Sequence, residues 1–516
     1  MILNHTFIIL WLAFGYVLHA QPTVQWQKTF GGTKQEYARD VIVTQDGGYL
    51  VIGWTFSNDG DVTGFKGVAD YWVLRLNTSG EIIWKKTYGG SHFDWPYDAI
   101  QTPDGGFIIV GYSRSDDGDV LGQHGDKDAW IIKINASGEI LWQRALGGSG
   151  WDEAWSITLT SDGGFAVAGI SDSTDGDCLG NQGLAQDYWV VKMNQDGVVE
   201  WQKSFGGSNF DRGIFITSTT DAGFLITGEA GSADGDVIDN NGDQDFWVLK
   251  LDSEGNIEWQ NALGGEGLDV GSGMYEVNDG YLGFGYVGSL NTGDVSFSYG
   301  SFDYWIVKLD MNGQLVWEKS YGGSDADWLF TGTIFEDGGL IVSGTSLSND
   351  ADVSFSHGYD DIWLVKINNS GDVEWEKSIG GSSSEACFQL QKTPDNGLVL
   401  VGFTFSTDGD ATGTQNWGYG DLWIVKLSLD SVSTTAQPNT NALKLFPNPA
   451  QDAVTISIPG ELGELQITLT NTLGVPVAEG QVINGGNFQI GALPSGIYWL
   501  SATGESKRGG GLLEVK

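Results

Sequence analysis

The residues of this chain best suited to chemistry are carboxylates, and they recur at fixed spacing. In one long polar loop Asp59, Asp61 and Asp70 fall at positions 1, 3 and 12, with Gly64 at position 6; Asp117, Asp119, Asp128 and Gly122 repeat the arrangement. Calcium loops place oxygen ligands and a turn glycine at such positions, so these six aspartates are candidate metal ligands and calcium the candidate cofactor. Position 5 is Thr63 or Leu121 rather than an acid, and in the related stretch "STDGDCLGNQGLAQDYW" the closing Asp187 stands at position 13. A later loop has Thr292 where the first acid would be. The competing reading is conformational: Asp-Gly-Asp shapes a turn, and the last aspartate closes the loop ahead of a strand.

A second acid follows each double glycine: Glu36, Asp94, Asp152, Asp211, Asp269, Asp327 and Glu385. A carboxylate present in every repeat is most simply structural, because each repeat solves the same folding problem. Function lives more readily where repeats differ. Phe93, Trp95, Trp151, Phe210, Trp328, Tyr359 and Trp417 are irregular aromatics beside carboxylates and amides. Rings next to polar groups suit sugar stacking and hydroxyl hydrogen bonding, so they are the candidate ligand-binding residues; the alternative is loop packing. No residues stand out as catalytic. GxSxG, HExxH and phosphate-loop patterns are absent, and no pair of acids is distinguished from the rest.

These residues are positioned by a repeat. Trp26, Trp84, Trp142, Trp201, Trp259, Trp317 and Trp375 recur at intervals of 58 or 59, and Trp72, Trp130, Trp189, Trp247, Trp305, Trp363 and Trp423 form a second series. Each unit holds four candidate strands. Strand a alternates, as in "EWQKSF"; strands b and c flank an Asp-Gly turn; strand d, as in "YWVVKM", is apolar throughout. The b–c and d–a links are tight hairpins, so the order within a unit is b-c-d-a, with b innermost. The array starts with a spare strand a, Val24 to Phe30, and stops at strand d, Leu422 to Leu427. The first strand therefore closes the last unit, removing the open edges. Seven such units form an all-β, seven-bladed β-propeller over residues 21–427. An open β-solenoid is the second architecture.

Lys+Arg 25 against Asp+Glu 67 gives a net charge of −42. Such a surface repels phosphate backbones, which argues against nucleic acid as a partner. Cys178 and Cys387 stand in different repeat contexts, and no disulfide framework is expected. Residues 1–20 read as a signal peptide, with an apolar run from Phe7 to Leu18 and Ala20 at the cleavage position. No other segment suits a membrane span.

After Lys426 the pattern stops, and residues 428–442 are a Ser, Thr and Pro-rich linker. Residues 443–516 carry Phe446, Pro447, Asn448, Pro449 and Asp452, then Leu493, Gly496 and Tyr498. Their alternating segments "AVTISI" and "LQITLT" predict a small β-sandwich. The two motifs, in this order at the chain end, resemble the C-terminal sorting domain of the type IX secretion system of Bacteroidetes. That resemblance implies passage across the outer membrane, contact with the secretion machinery, and a surface or extracellular location. The repeats resemble uncharacterised "WQK-GG-DGG-DGD" propeller repeats of secreted proteins of those bacteria. The d–a hairpin is similar to that of quinoprotein propellers, where such a tryptophan docks neighbouring blades. The function expected is an exported binding module for carbohydrate or protein, calcium-assisted if the loops bind metal. A polysaccharide hydrolase or lyase and a purely structural adhesin repeat are the alternatives.

Overall fold

The computed structural model describes residues 21–516 except 182–184, 336–337, 415–417, 430–443, 447–449, 451, 458–462, 471–475, 492, 495 and 504–507. The signal-peptide assignment at 1–20, nearly all of the linker, Trp417, and Pro447 to Pro449 lie outside those residues. Two compact units form, Met1–Ser431 and Val432–Lys516.

Seven four-stranded antiparallel sheets make up the first unit, each in the order b-c-d-a. Blades 1 to 6 span residues 36–88, 94–146, 152–205, 211–263, 269–321 and 327–379. Blade 7 takes strands b, c and d from Glu385–Lys392, Leu398–Thr404 and Asp421–Ser428, and its outer strand from Thr23–Phe30. That outer strand pairs from Thr23 with Ser428 to Phe30 with Leu422. Strand b of every blade lies against strand b of the next, and the seventh against the first. The ring is thus closed, as the spare N-terminal strand predicts, and the open solenoid is overturned.

The core lies between blades. Each of seven apolar clusters takes its side chains from two neighbouring blades. Strand d supplies the largest members, with Trp72, Trp130, Trp247, Trp305, Trp363 and Trp423 essentially inaccessible. Burial of both faces explains why strand d reads as an unbroken apolar run. The strand a tryptophans are mostly half-buried and dock the next blade. A Cβ added at Gly80, Gly197 or Gly255 would meet the ring of Trp26, Trp142 or Trp201 at 2.8–2.9 Å. Those d–a turns also need positive φ, +73° at Gly80, so glycine is required twice over.

Strand b carries a recurrent irregularity. In all seven blades its register slips at the fourth residue, as between Ala38 (opposite Gly53) and Asp40 (opposite Ile52). The slip is a β-bulge, which re-aims the extra side chain. Strand c supplies the room for it. A Cβ on Gly53 would stand 1.9 Å from the Tyr37 carbonyl oxygen. We expect Gly53→Ala to lower unfolding free energy by about 3 kcal/mol, as a forced backbone shift in a packed interior does. Urea midpoints will check this against Gly105→Ala, whose Cβ meets nothing within 4 Å and strains only φ (+80°); that variant should lose about 1 kcal/mol. Equal losses would show that the bulge does not depend on glycine.

The second unit is a small β-sandwich. One sheet runs Lys444–Phe446, Ala453–Ser457, Gly486–Gln489; the other runs Pro476–Ile483, Glu464–Thr470, Gly496–Thr503, Arg508–Val515. Val454, Ile456, Leu465, Ile467, Leu469, Leu500 and Leu513 fill the space between them. The Tyr498 hydroxyl donates to the Pro494 carbonyl at 2.8 Å, and the Asp452 carbonyl accepts from Ile490 and Gly491. Leu493 and Gly496 are half-buried beside this corner. Among the described residues no helix is long and apolar enough to cross a membrane.

Candidate functional site

The loop aspartates do not gather into a cage within one loop. Asp59 accepts from the amide and hydroxyl of Thr33, at 2.8 and 2.9 Å. Asp117 accepts from the Ser91 amide at 2.7 Å. Where the first acid is replaced, the Thr292 hydroxyl accepts the equivalent bond from the Glu266 amide at 2.9 Å. A neutral oxygen therefore does the same work, which is to hold the double-glycine turn. Asp61 and Asp119 are half-buried; Asp119 receives the Gly89 amide, and its carboxylate contacts Lys66. Asp70 and Asp128 are fully buried and accept from the Lys66 and His124 amides at 2.7 Å, closing the loop before strand d. Among the described residues no group of three or more His, Cys, Asp or Glu is placed to hold a metal ion. Asp61 pairs with Lys85 at 3.3 Å, and the other five acids accept amide bonds that shape the turns.

The acids after the double glycines also knit the fold. Asp94 accepts from the Gly90 amide at 2.8 Å, the Ser115 hydroxyl at 2.9 Å and the Ser113 hydroxyl. Asp152 makes the same set with Gly148, Ser173 and Ser171. Each is buried, tying the a–b turn to the end of strand c.

The irregular aromatics divide. Trp95 stacks on Trp54 with centroids 4.8 Å apart, Phe93 sits edge-on to Phe56 and Trp95, and Trp328 packs on Phe302. These rings pack the loops. Trp151, Phe210 and Tyr359 are 43%, 45% and 75% exposed. Trp151 donates from Nε1 to Asp126 and lies under the Lys127 ammonium at 4.4 Å.

A concavity lies elsewhere, where the bulges point. A cavity of about 360 Å³ is lined by Arg39, Trp155, Ile214, Ser272, Phe330 and Phe388, together with strand b and c residues such as Arg212, Glu229 and Tyr286. The first six are the bulged residues of six different blades. The seventh, Tyr97, stacks on Trp155 at 4.6 Å and lies 5.3 Å from the Arg39 guanidinium. Seven bulges thus give side chains of six types to the centre of the ring. Strict alternation along strand b hides this position, because a bulge breaks the period of two. The legible signal was a fourth residue that varies opposite a strand c glycine that does not.

Charge in the cavity is uneven. Glu153 is saturated, accepting from Tyr97 at 2.9 Å and Trp155 at 3.0 Å and pairing with Lys127 at 2.6 Å. Arg212 pairs with Glu229 at 3.2 Å, and burial raises the Glu229 carboxyl above its ordinary range. Arg39 lies between the Tyr97 and Phe388 rings, and its buried Nε has no hydrogen-bond partner. Burial pushes its guanidinium down from its ordinary value. The adjacent Asp40 is held well above the usual carboxylate range by burial and by repulsion from Asp98, so it is a poor counter-ion.

Residues 444–509 match the family model of the secretion system C-terminal sorting domain. The chain is therefore cargo of the type IX secretion system, delivered to the cell surface or beyond, as the sorting motifs imply. No curated protein matches the chain. Among solved structures it is similar to BBS1N in complex with ARL6DN, at 9% identity over 80% of this chain and 98% of that one, TM-score 0.42. A gluconolactonase, XC5397 from Xanthomonas campestris, is similar at 9% identity over 79% and 99%, TM-score 0.33. The extracellular domain of BT4673 from B. thetaiotaomicron is similar at 10% identity over 93% and 81%, TM-score 0.21. These likenesses are distant, and the propeller assignment rests on the sheet topology.

Proposed function

We propose that this secreted propeller is a binding module for carbohydrate, with its ligand site in the central cavity and its exposed rings Trp151 and Phe210 as accessory contacts. The observation that carries this reading is the set of bulges. The same backbone device recurs in every blade, yet it delivers six residue types across the seven blades, only Phe330 and Phe388 being alike. A purely structural role would favour one residue type; a recognition site needs several. Aromatic faces beside a few fixed polar groups are the usual lining of small-molecule sites, and the volume falls in the common range of about 300–1,000 Å³. Among the described residues lining the cavity, no nucleophile stands beside a base, so binding without turnover is the expectation.

A glycan and polysaccharide array on the whole secreted chain, followed by product analysis, tests this. We expect retention of particular glycans with no cleavage, and a loss of at least about tenfold in affinity for Trp155→Ala, as for other buried aromatic anchors. Cleavage products would move the protein to the hydrolases or lyases. Retention indifferent to Trp155→Ala but lost in Trp151→Ala would place the site at the rim instead.

A further inference from the structure

We infer that the cavity takes a ligand carrying a carboxylate on a ring-sized body, for which Arg39 is the recognition residue; a uronic acid residue is the carbohydrate form of that chemistry. This rests on the reading of the cavity as the ligand site, and adds what the ligand must carry. The chain has net charge −42 and only six arginines, yet two of them, Arg39 and Arg212, line this one cavity. Arg212 already has Glu229. Arg39 forms no ion pair with any described residue; its guanidinium rests instead between two aromatic rings, at 5.3 and 4.9 Å. The nearest carboxyls, Asp40 and Asp98, are themselves raised by burial and offset little of the cost of holding this cation, so a protein that retains it at a variable position is using it. The fold does not demand it: the same bulge carries Tyr97, Trp155, Ile214, Ser272, Phe330 and Phe388 in the other blades.

The Tyr97 and Phe388 rings flank the guanidinium carbon at 5.3 and 4.9 Å. Nε is inaccessible and unpaired, so a carboxylate in the cavity would take its bonds from the terminal guanidinium nitrogens. Guanidinium matches carboxylate geometry in a paired fashion that ammonium does not. Of the remaining lining, Trp155, Phe330 and Phe388 offer apolar surface to a ring, and the charges of Arg212 and Glu229 are paired with each other. A doubly charged phosphate fits less well, because Glu229 faces the same space.

Calorimetric titration of the full secreted chain tests the assignment with galacturonate, glucuronate, their neutral parents galactose and glucose, and benzoate. A uronate should bind at least about tenfold more tightly than its neutral parent. Arg39→Gln should lose that preference, and Arg39→Lys should keep part of it. Because Arg39→Gln removes an unpaired interior charge, its melting temperature should stay level or rise, which separates lost recognition from lost folding. Neutral sugars binding as well as uronates, or Arg39→Gln binding uronate undiminished, would overturn the inference while leaving the cavity as a sugar site. Benzoate bound in an Arg39-dependent way with both uronates silent would keep the carboxylate and overturn the carbohydrate reading. Failure of all the acids would overturn the inference outright.

Discussion

Deletion of residues 24–30 will leave a propeller that does not hold together. Those residues form the outer strand of blade 7, antiparallel to Asp421–Ser428, although nearly four hundred residues separate them in sequence. The strand also supplies Gln27, which accepts from Trp423 Nε1 at 3.0 Å, and Trp26, which packs edge-on to Tyr49 of blade 1. Phe30 belongs to the apolar cluster that joins blades 7 and 1. Removing the strand exposes strand d of blade 7, an apolar strand whose free edge is a template for aggregation. Each ladder hydrogen bond contributes on the order of 1 kcal/mol and the lost apolar contacts several more, so the loss is comparable to the whole stability of an ordinary domain. We expect little soluble protein, and a melting temperature lower by at least about 15 °C in what remains. The matching deletion of residues 508–516 alters only the tail sheet and should leave propeller melting intact. A soluble 24–30 deletion with unchanged melting would mean that the ring does not need closing.

How much of this was legible beforehand depends on whether a feature is periodic. Strand order, closure and the interblade tryptophans follow from regular spacing and turn length, which one sequence displays seven times. The cavity does not. Arg39 reads as one more polar residue on an alternating strand until the bulge at Ala38/Asp40 turns it inward. The loop acids were legible as acids but not as to purpose. Spacing of 1, 3 and 12 fits a cation cage, and only the three-dimensional partners reveal that Asp59 holds Thr33 and that Thr292 substitutes for an aspartate. Irregularity marks the exposed rings Trp151, Phe210 and Tyr359 and equally Trp95 and Trp328, which pack against Trp54 and Phe302.

The junctions between blades should make the folded protein most stable in mild acid. Asp70 is wholly buried at the start of strand d, and its Oδ1 has no hydrogen-bond partner. A Cβ added at Gly89 would lie 2.5 Å from Asp94 Oδ2 and 2.9 Å from Asp70 Oδ1, so two carboxylates flank one glycine. Burial first, then repulsion from Asp94 and Asp119, raises the Asp70 carboxyl to about 7, against a partial offset from the Lys66 amide and charge. Asp245 is raised to about 7 and Asp327 to about 6, in both cases chiefly by burial. The sign follows from proton counting. Between about pH 4 and 7 the folded chain holds protons that the unfolded chain has released, so stability falls as pH rises through that window. Below it the trend reverses, because Asp104, bonded to Thr102 and Lys133, is held down at about 2 and loses its favourable contacts only in stronger acid. Keeping a carboxyl protonated until near neutrality corresponds to roughly 4 kcal/mol, and relaxation of the loops reduces this to about 2 kcal/mol for a single site. Several sites acting together make the total loss between about pH 5 and 8 at least about 5 kcal/mol. Asp70→Asn isolates one site. Its amide oxygen can still accept from Lys66, and its nitrogen can donate toward Asp94. We expect the variant to gain about 2 kcal/mol near pH 8 and nothing near pH 4, read from urea unfolding at each pH. Equal stability of the two proteins at the higher pH would dismiss the carboxylate pair as a source of strain. Calcium is the decisive control: if it stabilises the wild type at the higher pH and Asp70→Asn abolishes the effect, the paired charges serve a cation after all.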